Sequence, residues 1–456
     1  MTVNPHIFRE FSVRGMADRD LTDDVATLMG QAVGDYFRRR GGQRLVVGHD
    51  VRHSSPRISR SLIAGLLEAG LHVLDVGLVP TPVHNFATDW YAADGGVMVT
   101  ASHNPPENNG LKIRAAQSLS GVELQEIYRT ASGGPSQSSA ASAPMPGSAQ
   151  PADPIPTYLA RIRAHARLGS PLKVVVDGGH GTNGSLVSHL LRDLGCQVTE
   201  LYSDPDGDFP GRGPDPTAPG ALSALSVQVQ AEGANLGVAY DGDGDRLAVV
   251  DERGQPVLGD QVLMLLARDV LRRAPAKIVY EVLCTQALAD DVLAHGGQPV
   301  MVPSGYAFVH QAMCETGAAL GGEFSGHLFF NEPYFHFDDA ILATVKLLTI
   351  LAGERRPLSA LVGELPAYYS TPQIRLPCPD DVKGHVVEQV KRHFKGMFAV
   401  SELDGARIDF GDGWALVRAS NTQPALSLRF EATSPERLEQ LKEQVLEQIE
   451  RWRCAS

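Results

Sequence analysis

The stretch NLGVAYDGDGDRLAVVDE, residues 235–252, sets three aspartates on alternate positions between two apolar runs. NLGVAYD and RLAVVDE carry the short, bounded apolar pattern of strands. Between them Asp241, Asp243 and Asp245 alternate with glycines, which let the backbone turn tightly and bring the carboxylates together. Three hard oxygen donors on one such loop suit an octahedral cation such as Mg²⁺. An EF-hand loop is the rival reading, since Glu252 stands at its twelfth position. However, the sixth position is Arg246 where that turn needs glycine, and the flanks read as strands where helices are required. A solvated acidic turn is the plainer alternative; against it stands the repulsion of three convergent carboxylates without a cation.

Strands and helices alternate on both sides of this stretch. Upstream, LKVVVD (172–177), SLVSHLLRDLG (185–195) and QVTELY (197–202) read as strand, helix, strand. Between the first two, GHGTNG (179–184) matches G-x-G-x-x-G, with Glu200 closing the next strand, so a dinucleotide site is one reading and a tight glycine turn the other. Further upstream come the strand LVVGHD (45–50), the helix ISRSLIAGLLEAG (58–70), and the strands HVLDVG (72–77) and GGVMVT (95–100). Downstream lie the helix DQVLMLLARDVLRR (260–273), the strands AKIVYEV (276–282) and QPVMVPS (298–304), and the helix DDAILATVKLLTILAG (338–353). The shared rhythm predicts three similar α/β units with parallel or mixed sheets. The tail from about 367, with strands GWALVRAS and ALSLRFEA and a charged final helix, predicts a smaller α+β domain. The expected limits are 1–152, 153–253, 254–366 and 367–456. Residues 132–156, rich in Ser, Ala, Gly and Pro with almost no charge, read as a mobile linker.

At 456 residues the chain has room for about three domains, with four not excluded. Forty basic against fifty-three acidic side chains give a net charge of −13, which argues against nucleic-acid and anionic-membrane partners. Five cysteines without a CxxC predict reduced thiols and a cytoplasmic protein. No leader is read at the N-terminus, and no run reaches the ~18 apolar residues of a membrane span.

Three more constellations could carry chemistry. TASHNP (100–105) puts Ser102 beside His103 on a loop after a strand, where α/β folds place ligands, although adjacent residues do not make a triad. GEFSGH (322–327) holds Glu323, Ser325 and His327 in a glycine-bounded turn, the first two spaced to face one side. RASNTQP (418–424) offers Arg418, Ser420, Asn421 and Thr422, a donor set suited to a phosphate dianion.

Together and in this order, TASHNP, DGDGDR, GEFSGH and RASNT resemble the signature loops of the α-D-phosphohexomutase superfamily, in its phosphomannomutase/phosphoglucomutase branch. The resemblance spans essentially the whole chain and displaces the dinucleotide reading, which would leave the other motifs unexplained. It implies an α/β enzyme of four domains, three similar mixed-sheet domains plus a C-terminal α+β domain, around a central cleft. It implies that Ser102 is a phosphoserine, that Asp241, Asp243, Asp245 and the Ser102 phosphate hold Mg²⁺, and that His103 and Lys112 serve proton transfer. Arg14 and Arg246 would line the cleft, GEFSGH would contact sugar hydroxyls, and the RASNT loop would hold the unreacting phosphate. The implied reaction moves phosphate between O1 and O6 of a mannose or glucose phosphate through a hexose 1,6-bisphosphate, in a monomer or weak dimer. A phosphosugar-binding protein without turnover, a phosphatase and a glucosamine phosphate mutase are the alternatives. The chain departs from the pattern at Phe11, where relatives carry tyrosine, and at Leu283 and Tyr306, where bifunctional relatives carry lysine and histidine.

Overall fold

Short, largely apolar runs form the central strands of the three α/β sheets, because strands covered on both faces read as continuous apolar segments. The computed structural model describes residues 3–133, 146–420 and 424–454. The first sheet contains β1 (Val13–Met16), β2 (Arg44–His49), β3 (His72–Leu78), β4 (Gly95–Val99), β5 (Asn108–Arg114) and β6 (Ala149–Pro151), in the order β1-β5-β4-β2-β3-β6. Strand β2 is parallel to β3 and β4, and β5 is antiparallel to β4. All five residues of β4 are buried; a fully buried Val contributes about 1.5–3 kcal/mol.

The second sheet repeats the plan with β7 (Lys173–Asp177), β8 (Gln197–Leu201), β9 (Leu236–Tyr240), β10 (Leu247–Asp251) and β11 (Pro256–Val257), ordered β11-β10-β9-β7-β8. Strand β7 is parallel to β8 and β9, and β10 returns antiparallel beside β9. In the third, β12 (Lys277–Glu281) lies between β13 (Gln298–Val302) and β14 (Leu320–Gly322), parallel to both. The sets β2, β3, β4, then β7, β8, β9, then β12, β13, β14 therefore share one plan, with the first strand of each set central, the second on one side and the third on the other. In open α/β sheets the crevice outside the carboxyl ends, where this order reverses, is where ligands bind. TASHNP leaves β4, DGDGDR leaves β9 and GEFSGH leaves β14, so three motifs occupy one equivalent position in three sheets. After GEFSGH comes β15 (Leu328–Phe330).

The C-terminal sheet is antiparallel: β16 (Tyr369–Ser370), β17 (Ile374–Pro377), β18 (Ala399–Ser401), β19 (Ala406–Asp409), β20 (Gly413–Ala419) and β21 (Ala425–Ala432), ordered β16-β21-β20-β19-β18 with β17 also on β21. Helices Asp380–Lys395 and Pro435–Cys454 complete this α+β domain. RASNT begins at the end of β20.

The chain divides into two compact units, Met1–Val262 with Ser325–Gly363, and Leu263–Phe324 with Glu364–Ser456. The division falls inside GEFSGH. The supposed linker is a correction in part: residues 134–145 lie outside the described residues, but Ala149–Pro151 is a strand of the first sheet, parallel to β3. Backbone pairing, with the Val73 amide donating to the Ser148 carbonyl at 2.8 Å, orders a segment whose side chains bury little. Among the described residues no helix is long and apolar enough to cross a membrane.

Candidate active site

Ser102 follows β4 with φ +51°, left-handed backbone that a non-glycine residue seldom adopts, at a cost of order 1–3 kcal/mol. Its amide donates to Thr100 Oγ1 at 2.8 Å, and its own hydroxyl donates to Asp241 Oδ2 at 2.7 Å. The Ser102 side chain is thus turned onto the DGDGDR loop and is almost fully buried. A Cβ on Gly242 would stand 2.6 Å from the Ser102 carbonyl oxygen, so the loop's first glycine permits this approach. His103 Nδ1 lies 3.3 Å from Ser102 Oγ. Burial, then the charges of Arg246 and Arg14, hold its pKa well below the usual imidazole range, so the ring is neutral near pH 7. Arg14 donates to the Thr100 carbonyl at 2.6 Å and to that of Val13.

The three aspartates are buried to within 1%. Asp241 Oδ1 accepts from the amides of Gly244, Asp245 and Arg246 at 3.0–3.2 Å. Asp243 Oδ2 accepts from Thr81 Oγ1 at 2.6 Å and from Lys112 Nζ at 2.7 Å, and Lys112 also pairs with Asp245. Burial and mutual repulsion push the Asp241 and Asp245 carboxyls up. Burial acts on Asp243 in the same direction, but Lys112 and Thr81 outweigh it and hold this carboxyl below its usual range. One oxygen from each aspartate lies within 4.8 Å of the others, and Asp243 Oδ1 and Asp245 Oδ1 are buried with no hydrogen-bond partner. Leaving such oxygens unsatisfied costs free energy that a divalent cation would recover. The donor set fits one.

His327 lies on this side of GEFSGH. Its Nδ1 is 2.8 Å from Asp338 Oδ2 and 3.7 Å from Asp245 Oδ1, and Arg246 Nε donates to its Nε2 at 2.9 Å. Burial lowers the His327 pKa, but Asp245 and Asp338 prevail and push it up to about 9. Ser325, half-buried, belongs to the same unit.

In the other unit, Glu323 is buried and accepts from the Gly305 amide at 2.8 Å. Glu281, the last residue of β12, accepts from the Phe324 amide at 2.9 Å, while its second oxygen is buried without a hydrogen-bond partner. Burial and then the Glu323 charge push the Glu281 carboxyl up to about 8. Asp404 ties the pieces together, accepting from the Ser304 amide at 2.9 Å and from Arg418 Nε at 2.8 Å. Lys383 donates to the Ser420 carbonyl at 2.6 Å. Asn421 and Thr422 lie outside the described residues.

Leu283 is buried in an apolar cluster with Val282, Trp414 and Leu416, against which Phe324 packs. Tyr306 opens the helix Tyr306–Thr316, half-buried, and Phe11 is likewise half-buried. The glycines of GHGTNG serve packing too: a Cβ on Gly181 would stand 2.8 Å from the Gly242 carbonyl oxygen, and Asn183 Nδ2 donates to the Gly244 carbonyl at 2.9 Å. Arg212 fills the turn, with a Cβ on Gly179 meeting its guanidinium at 2.6 Å. Arg52, buried just after β2, and Glu281, buried at the end of β12, carry no motif in the sequence, and the only signal for them is that position.

Four family models of phosphoglucomutase/phosphomannomutase match in order: the α/β/α domains I, II and III over residues 5–135, 156–254 and 258–369, and the C-terminal domain over 374–448. The chain is 41% identical to a Pseudomonas aeruginosa phosphomannomutase/phosphoglucomutase, across 97% of this chain and 95% of that one. It is 38% identical to a Neisseria meningitidis phosphoglucomutase, over 97% and 96%. The crystal structure of a phosphoglucomutase/phosphomannomutase family protein from Burkholderia thailandensis superposes with a TM-score of 0.91 at 38% identity, covering 99% of this chain and 98% of that one. With its site loops at three equivalent sheet ends and relatives matched along its length, the chain belongs to the phosphoglucomutase/phosphomannomutase family.

Proposed function

We propose that the protein is a phosphohexomutase that interconverts hexose 1-phosphate and hexose 6-phosphate, with mannose and glucose as the sugars. The single observation that carries this reading is the buried Ser102 hydroxyl, 2.7 Å from Asp241 in a three-carboxylate cluster. In the proposed cycle the bond from phosphorus to Ser102 Oγ breaks as one to sugar O6 forms, and the O6 hydroxyl loses its proton. The bisphosphate then turns over, and its O1 phosphate returns to Ser102 while O1 regains a proton. Mg²⁺ held by Asp241, Asp243, Asp245 and the Ser102 phosphate would neutralise charge on the phosphoryl oxygens.

The chain's own groups supply the rest. Lys112, bound to Asp243 and Asp245, and the neutral His103 beside Ser102 are the groups placed to exchange protons with the sugar hydroxyl and the serine. Arg14 and Arg246 add positive charge, Glu323, Ser325 and His327 serve the sugar side, and Arg418, Ser420, Asn421 and Thr422 hold the distal phosphate. We assign domain limits of 1–152, 153–253, 254–366 and 367–456. The free cysteines Cys196, Cys284, Cys314 and Cys378 and the net charge of −13 favour a cytoplasmic enzyme, monomeric or weakly dimeric, of small anionic sugars.

Mass spectrometry of freshly purified protein tests this reading. Ser102 is expected to carry phosphate, or to acquire it from glucose 1,6-bisphosphate. A Ser102 that stays unmodified under both conditions overturns it.

A further inference from the structure

Arg52 lies on the loop leaving β2, at the switch point beside Ser102, and is fully buried. Its guanidinium donates to four backbone carbonyls of the serine loop: Nη2 to Ser102 at 2.8 Å and Asn104 at 2.6 Å, Nη1 to Pro105 at 2.6 Å and Asn108 at 3.0 Å. Nε donates to Asp50 Oδ2 at 3.1 Å, which neutralises the charge. Asp50 Oδ2 also accepts from Thr100 Oγ1 at 2.7 Å, and Thr100 Oγ1 accepts from the Ser102 amide. One buried ion pair thus grips both the carbonyl and, through Thr100, the amide of Ser102.

We propose that Arg52 is a positioning residue for the nucleophile, holding Ser102 in its left-handed conformation so that Oγ stays aimed at Asp241. Arg52 holds the Ser102 backbone from behind the loop, and the five hydrogen bonds of its guanidinium go to Asp50 and to loop carbonyls, none to Asp241, Asp243 or Asp245. Only a planar fork of five donors can serve four divergent carbonyls and a carboxylate at once; a lysine ammonium has three donors at a single point. What is gained is a fixed oxygen, and small misplacements of reacting atoms cost large factors in rate.

The proposal rests on Ser102 being the phosphoryl carrier, and the test separates the two. Arg52→Lys keeps the charge opposite Asp50. With Mg²⁺ and glucose 1,6-bisphosphate present, kcat is expected to fall at least 100-fold, with KM for hexose 1-phosphate within threefold. Loading of Ser102 in a single turnover, followed by intact mass, should slow in parallel. A merely structural role would lower Tm and leave the kcat of the folded fraction unchanged. A folded Arg52→Lys protein with kcat within threefold of the parent overturns the proposal. If that variant does not fold, Thr100→Val keeps the ion pair and releases the Ser102 amide; at least a tenfold fall in kcat at constant KM is then expected, and none overturns it. A parent enzyme that turns over without loading Ser102 instead overturns the reading on which the proposal stands.

Discussion

The first and third sheets share a strand order, yet the loops at their switch points are buttressed by different groups, a guanidinium under one and under the other a carboxyl whose pKa is pushed up to about 8. Under TASHNP lies the Arg52 guanidinium, every hydrogen of its fork donated and its charge met by Asp50. Under GEFSGH lies the Glu281 carboxylate, which accepts one amide at Phe324, leaves one oxygen unpartnered and faces the second carboxylate of Glu323. The second sheet also uses a buried ion pair: Arg212, paired with Asp177 at the end of β7, donates to the Tyr240 carbonyl at 2.6 Å just before DGDGDR, and Asn183 donates to the Gly244 carbonyl within it. A cation that saturates carbonyls makes a rigid seat, suited to an atom that must be placed once and kept there. A carboxylate with spare capacity makes a seat whose hydrogen bonding changes with its proton. We propose that chemistry and sugar recognition are separated accordingly.

The sharpest break of that separation comes from exchanging one carboxylate in each region for alanine. Asp243→Ala removes a proposed metal oxygen and the acceptor of Thr81 and Lys112. We expect kcat to fall at least a thousandfold, about 4 kcal/mol of barrier, and excess Mg²⁺ not to restore it. Glu323→Ala should lose roughly 10- to 100-fold in kcat/KM, in the range of one to two lost hydrogen bonds to charged groups. Steady-state kinetics on both variants checks the pair. Equal losses would mean that the two regions are not distinct in role.

A smaller effect follows from the Glu281 proton. Its folded-state pKa, about 8, lies above the ordinary value of 4.5. Between those values the folded protein holds a proton that the unfolded chain has released, so stability is greatest at the acid end and falls as pH rises toward 8. Glu281→Gln keeps the shape and removes the titration. The variant should therefore gain on the parent progressively from pH 5 to pH 8, with a Tm advantage at pH 8 of order 2–4 °C per kcal/mol recovered. Thermal melts across that range decide it. A parent-to-variant difference that does not depend on pH would show that Glu281 stays ionised beside Glu323, and the contrast with Arg52 would then lose its physical basis.

The strands were legible because β2, β4, β7 and β9 are short apolar runs bounded by glycine or aspartate at one end or the other, patterns that survive without knowledge of neighbours. DGDGDR was legible for the same kind of reason: its chemistry is local, three ligands within five residues. Arg52 was not, since its worth comes from carbonyls at 102, 104, 105 and 108, brought under it only by the pairing of β2 with β4. The packing of Leu283 in an apolar cluster with Trp414 and Leu416 was not legible, because a linear reading does not contain those contacts. Ala149–Pro151 escaped notice because a sheet edge can be held by backbone alone, whatever its side chains. GHGTNG shows the converse: a motif can match in spacing while Arg212 and the neighbouring DGDGDR backbone take up its glycines.

The smallest effect expected concerns the sugar itself. Glucose and mannose differ only at C2, whereas we propose that Glu323 and Ser325 serve the C3 and C4 hydroxyls. Glu323 is held by the Gly305 amide, and its neighbour Glu281 is engaged with the Phe324 amide. Both carboxylates are thus oriented by backbone that does not depend on the sugar. A site rejects an analogue strongly only when binding it leaves buried polar groups unpaired. With the C3 and C4 contacts common to both sugars, neither epimer leaves those groups unpaired, and only steric or solvation differences at C2 remain. Glucose 1-phosphate and mannose 1-phosphate should therefore be converted with kcat/KM within about tenfold of each other, roughly 1.4 kcal/mol. Coupled assays at matched Mg²⁺ and bisphosphate measure the ratio directly. A preference beyond a hundredfold would place a C2-reading contact among residues other than Glu323 and Ser325. A faster reaction with glucosamine 1-phosphate would point to a carboxylate as the reader, and Glu281, with its unpartnered oxygen, would be the first to substitute.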